Sequence, residues 1–171
     1  HPRGIYGNKI EADLSLKYPK FVPKVLDSDP QGYWIIQEKL EVFQGGYFTN
    51  RFVNNFEALK QIKQVINQNF PDNKSIDNIL FVILIKFLRS FNQGAEFLSA
   101  STLRYFKEFY GIDLSKILDF DNIFYDILVM DEKVSDFADF CVVSKILYTE
   151  IHDKNVGFNS SGEFRIIDIG N

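Results

Sequence analysis

From residue 54 onward apolar side chains recur at three- and four-residue intervals, which commits most of the chain to helices sharing a core. "NNFEALKQIKQVINQNF" (54–70) carries Phe56, Leu59, Ile62, Ile66 and Phe70 at that spacing. "PDNKS" stops it, and Ser75 stands where it can cap "IDNILFVILIKFLRSF" (76–91). "SASTLRYFKEFYG" ends on Gly111, a residue that suits a helix terminus. "DLSKILDFDNIFYDILVM" and a helix over 135–150, "SDFADFCVVSKILYTE", complete the predicted bundle. At 171 residues, 46% hydrophobic and 16% aromatic, the chain can bury a real core as one domain or one two-lobed unit.

The first 44 residues read differently. "NKIEADLSLKY" (8–18) predicts a short helix capped by Asn8, with Ile10, Leu14 and Leu16 near one side and Glu11 beside them. Two strands follow, over 21–29 and 33–43, around the turn "SDPQG". Trp34, Ile36 and Lys39 alternate weakly with Ile35, Gln37 and Glu38, which predicts partial cover on both faces. "QGGYFTN" reads as a flexible connector. At the other end "VGF", the turn "NSSG" and "EFRIID" predict a β-hairpin. The expected fold class is therefore α+β, with a strand-containing part at 1–44, a connector at 45–50 and a helical part at 51–171 that carries the hairpin.

Charge and cysteine usage remove several function classes. A net charge of −4, with a pI near 5.2 and no Lys/Arg cluster, disfavours nucleic-acid binding. One Cys (Cys141) and two His offer no zinc-type ligand spacing and no internal disulfide, so a reducing, cytoplasmic setting is expected. The most apolar run, "ILFVILIKFL" (79–88), is about half the length of a membrane span and carries Lys86, so no membrane role is expected. The chain opens on His1 rather than Met, as a fragment or processed product would. Abundant Phe, Ile, Asn, Lys and Tyr fit an AT-rich genome, and with the small size they lead to an expectation of viral origin, in the particle or the host cell.

Asn155 and Asp168 stand at the two ends of the predicted hairpin, one before its first strand and one closing its second. Folding the hairpin brings an amide oxygen and a carboxylate together, and Mg²⁺ accepts such hard oxygen ligands beside water and phosphate. Gly170 gives the backbone freedom to turn after Asp168. A hairpin whose Asp merely begins a turn would read the same way.

Their neighbours carry a resemblance. Eukaryotic-type kinases have H-R-D-x-x-x-x-N followed by a strand ending in D-F-G. "EIHDKNVGF" and "FRIIDIG" resemble more closely the D-L-H-x-x-N-[IV]-G and [IV]-I-D-[FYI]-G segments of the aminoglycoside-phosphotransferase-like branch of the protein-kinase-like superfamily. The resemblance implies that His152 is the structural loop His and that Val156 and Gly157 follow the metal-binding Asn155. It implies that Asp168 is the second metal ligand. Extended backwards, it makes Glu11 the helix Glu of a small lobe, Gln37 the gatekeeper, and the backbones of Glu38 and Leu40 the hinge groups that face an adenine. The implied fold is a reduced kinase-like one, with an incomplete small lobe, a helical large lobe and a catalytic-loop hairpin.

The match also departs from the family. Where the family has its catalytic Asp, five residues before the Asn, stands Glu150. A carboxylate there can still accept a substrate proton, but displacing it by ~1 Å costs about a hundredfold in rate. Asp153 is a second carboxylate nearby, placed where the family usually has Pro or a small residue. "RGIYGN" is too short for a Gly-rich phosphate loop, no Lys-bearing strand precedes Glu11, and no activation segment follows Gly170. The implied function is a pseudokinase or degenerate phosphotransferase, an interaction module with a protein partner that keeps ATP and Mg²⁺ binding. The alternative is an active ATP-dependent phosphotransferase whose Lys-bearing strands lie outside this sequence.

Overall fold

The computed structural model describes residues 2–43, 45–167 and 169. It is α+β, with seven α-helices and two two-stranded antiparallel sheets among the described residues. In chain order these are α1 (Pro2–Lys17), β1 (Val25–Ser28), β2 (Ile35–Gln37), α2 (Gly46–Val53), α3 (Glu57–Asn69), α4 (Ile76–Gln93), α5 (Ala100–Tyr110), α6 (Phe120–Val129), α7 (Glu132–Val143), β3 (Val156–Phe158) and β4 (Phe164–Ile166). Among the described residues no helix is long and apolar enough to cross a membrane.

Two compact units emerge. Unit 1 joins His1–Phe48 to Phe140–Asn171, and unit 2 is Thr49–Asp139. The sequence division had kept the hairpin with the helices of 51–171, whereas the fold groups it with the first 48 residues. The physical reason is backbone pairing. Ile166 N–H donates to Phe21 O (2.7 Å), and Glu41 and Phe158 exchange both of their backbone hydrogen bonds at 2.8 Å. Buried edges of β3 and β4 need such partners, and the two ends of the β1–β2 region supply them.

Unit 2 forms for the reasons its periodicity gives. Leu59, Ile62 and Ile66 of α3 and Ile79, Leu80, Ile83, Leu84, Phe87 and Leu88 of α4 are buried, and α3 packs on both α4 and α6. Phe52, Phe56 and Phe137 form a ring cluster with centroids 5.6–6.2 Å apart, a spacing that favours edge-to-face contacts. Asp131 joins two helix starts: its Oδ2 accepts the Ala58 N–H at 2.8 Å and its Oδ1 the Val134 N–H at 3.1 Å. Gly111 ends α5 at φ +67°, as its identity predicts.

Several local expectations are corrected. The first helix starts at Pro2, so Asn8 lies inside it and caps nothing. Its Nδ2 donates to Gly32 O instead (2.9 Å). "QGGYFTN" is helical from Gly46, because Phe48 and Phe52, four residues apart, are both buried. Ser75 sits at the cap position of α4 but makes no side-chain cap bond, and Asn73 Oδ1 takes the Ser75 N–H instead (2.8 Å). The helix expected over 135–150 stops at Val143, where Lys145 enters the left-handed region (φ +56°). A 3₁₀ turn, Tyr148–Glu150, then leads into the loop. The expected partial cover on both faces is seen, with Ile35 and Gln37 half-buried and Trp34 and Ile36 46% and 51% exposed.

Candidate functional site

The elements that the motif singles out all belong to unit 1, and short backbone pairings hold them. The turn after α1 runs beside β4, and the segment after β2 runs beside β3. The hairpin is thus flanked on one side by Phe21 and on the other by Glu41. The 159–162 turn closes it: Asn159 Oδ1 accepts the N–H groups of Ser161 and Glu163, both at 3.0 Å, and Gly162 takes φ +79°. Phe158 and Phe164 are fully buried, and Phe21 stacks on Phe164 with centroids 5.7 Å apart.

Leu40 and Gly157 meet where the segment after β2 runs beside β3. A Cβ at Gly157 would lie 2.8 Å from Leu40 Cβ and 3.0 Å from its Cδ1, so only glycine lets the 40–41 segment approach β3. Glu38 is tied at both backbone and side chain. Its N–H donates to Lys24 O (2.9 Å), and its Oε1 accepts the Lys24 N–H (3.0 Å). The backbone N–H of Glu38 is therefore committed to Lys24 and does not face a ligand.

Glu11 and Gln37 come together across α1 and β2, with Gln37 Nε2 donating to Glu11 Oε2 at 3.1 Å. Ser15 ties α1 to β1 by accepting the Val25 N–H (3.1 Å). The carboxylate of α1 is thus directed at the end of β2.

In the loop before β3, the Asn155 N–H donates to His152 O (3.0 Å), and its own carbonyl accepts the Ile167 N–H (2.8 Å). Asn155 and Ile167 are therefore opposed at the open end of the hairpin. Asp168, the expected second ligand, lies outside the described residues. Among the described residues no three His, Cys, Asp or Glu side chains form a metal-holding group. Asp153 is half-buried in the same turn, whereas Glu150 is exposed and its Oε2 accepts the Leu147 N–H (2.7 Å). The carboxylate at the expected base position thus stabilises its own 3₁₀ turn.

The residue that sequence reading passed over is Arg165, buried in β4. Its Nη1 donates to Lys20 O (3.0 Å) and Phe164 O (2.9 Å), and its Nη2 pairs with Glu163 (3.1 Å). Its Nε lies 3.3 Å from Glu38 Oε1 but finds no acceptor along its own N–H, so this contact is an ion pair without a hydrogen bond. A cation between Phe164 and Ile166 in an otherwise apolar strand was the available signal. Cys141 is buried, and desolvation raises its thiol pKa to about 12, which makes it unreactive at neutral pH.

No protein-family model, curated protein or solved structure matches the chain.

Proposed function

We propose that unit 1 is a degenerate kinase-type nucleotide site, an interaction module that binds ATP with Mg²⁺ and does not transfer phosphate efficiently. The observation that carries this reading is the pairing of the 40–41 segment with β3, Leu40 against Gly157, next to Asn155. It supports a nucleotide bound alongside this paired edge, with its phosphates toward the open end of the hairpin. Asn155 Oδ1 and Asp168 would supply hard oxygens for Mg²⁺, and the Asn155 carboxamide is chemically suited to that ion. Bound Mg²⁺ would neutralise phosphate charge. The resemblance pairs the helix Glu with a Lys, and here Glu11 accepts from Gln37, the residue at the gatekeeper position.

Loss of transfer draws its support from Glu150. Its carboxylate is occupied by the Leu147 N–H, and withdrawing it to act as a base would leave that donor unpaired. An active phosphotransferase is the second reading, favoured by the same residue, because a carboxylate is retained where the family has one. An interaction role is supported by the exposed Leu26, Tyr33, Trp34 and Ile36 around β1 and β2, an apolar surface suited to a protein partner.

Calorimetric titration with ATP tests the reading. Binding should require Mg²⁺ and should weaken at least tenfold in both Asn155→Ala and Asp168→Ala. Equal affinity with and without the metal, or in either folded variant, refutes the site. Steady γ-phosphate transfer by the native protein would select the active enzyme instead.

A further inference from the structure

We infer that His152 is a positioning residue, fixing the Asn155 side-chain amide through a hydrogen bond from its own Nε2–H. The inference rests on the proposed Mg²⁺ role of Asn155 and names the group that would orient it.

Both ring nitrogens of His152 face a neighbour. The backbone N–H of Lys154 donates to Nδ1 at 3.2 Å, and the Asn155 amide is placed with its Nδ2 3.4 Å from Nε2. The first contact decides the proton. A backbone N–H can only donate, so Nδ1 must carry a lone pair, and the proton of the uncharged ring then sits on Nε2. Nε2 is consequently a donor and needs an acceptor opposite it. Two donors cannot bond each other and the only acceptor on the Asn155 side chain is Oδ1, so the inferred arrangement exchanges Nδ2 for Oδ1 opposite the ring. Oxygen and nitrogen of an amide exchange places with almost no change in shape, so the hydrogen-bond partners decide the assignment.

The consequence lies at the candidate metal position. Oδ1 has two lone pairs: one accepts from His152, and the other is held in a fixed direction by that bond. A ligand oxygen oriented in this way loses less freedom on binding a hard cation, and groups behind a ligand typically change metal affinity about 10- to 100-fold when removed. His152 is half-buried in a turn whose backbone is already tied by the Asn155 N–H to His152 O bond, so the ring has little freedom to leave.

Two substitutions separate the two nitrogens. His152→Asn keeps an acceptor near the Nδ1 position for Lys154 and removes the donor toward Asn155. His152→Gln can place an amide N–H near the Nε2 position and restore that donor. The first measurement needs no metal: long-range ¹H–¹⁵N correlation spectra of the native protein at neutral pH. The Nε2–H tautomer is expected, and an Nδ1–H tautomer overturns the inference. The second is calorimetric titration with Mg²⁺ in the presence of ATP. His152→Asn should bind about 10- to 100-fold more weakly while staying folded, and His152→Gln should recover most of that loss. Equal affinity in native protein and His152→Asn, or equal losses in both variants, overturns the positioning role. A native protein that binds no Mg²⁺ removes the proposed function and the positioning role together, while the tautomer spectrum still decides the His152–Asn155 bond by itself.

Discussion

In unit 2 the helices meet through side chains. Phe52, Phe56 and Phe137 cluster with Leu59, Ile62 and the apolar stripe of α4, and few polar groups enter. In unit 1 the strands are three or four residues long, too short to be stable alone. They are held by backbone bonds to distant segments, by Glu11–Gln37 and by Arg165. A core of rings tolerates few volume changes but asks little of direction. Unit 1 depends on direction.

The sharpest way to break this contrast is to make one substitution of each kind. Phe56→Ala empties the middle of the ring cluster and should cost about 4 kcal/mol, read as a lower urea midpoint by far-ultraviolet circular dichroism. Arg165→Ala removes a buried cation that serves two carbonyls and two carboxylates, and should cost about 3 kcal/mol. The single Trp34 lies in unit 1, so its fluorescence reads this second loss directly. A cost below about 0.5 kcal/mol for Arg165→Ala, within the range of an ordinary surface change, would mean that polar contacts do not hold unit 1.

Gly157→Ala probes the meeting of Leu40 and Gly157 more narrowly. The new methyl group would meet Leu40 Cβ, which cannot swing away as a side-chain tip does. A loss of about 2 kcal/mol is expected, together with weaker hydrogen-exchange protection at the Glu41 and Phe158 amides, and unchanged protection there would contradict the close approach. The smallest effect has the opposite sign. Lys145 occupies a left-handed conformation where glycine is at ease, so Lys145→Gly should stabilise the chain by about 0.5 kcal/mol. A melting temperature that falls would show that the Lys145 side chain contributes there.

Helices α3, α4 and α5 were legible because their apolar spacing and their Gly and Pro punctuation are local signals. The hairpin was legible for the same reason, through "NSSG" between two short apolar runs. What escaped was set by partners distant in sequence. Gly45 and Gly46 suggested a connector, yet burial of Phe48 and Phe52 makes a helix of that stretch. The stretch from Val142 to Leu147, "VVSKIL", holds neither Gly nor Pro, so no local breaker announced that α7 would stop at Val143. The candidate site was legible as a set of residue types, with Asn155, His152, Glu150 and Glu11 all in view. Its geometry was not, because the ties of Glu38 to Lys24 and Arg165, and of Glu150 to Leu147, depend on how the chain returns on itself.

Paramagnetic Mn²⁺ added with ATP to isotope-labelled protein tests the central claim most directly. Strong broadening of the Asn155, Val156 and Ile167 amides is expected, with ATP-dependent shifts at Leu40 and Gly157, and unit 2 left sharp. Broadening centred among the helices of unit 2, or none at saturating nucleotide, would contradict it.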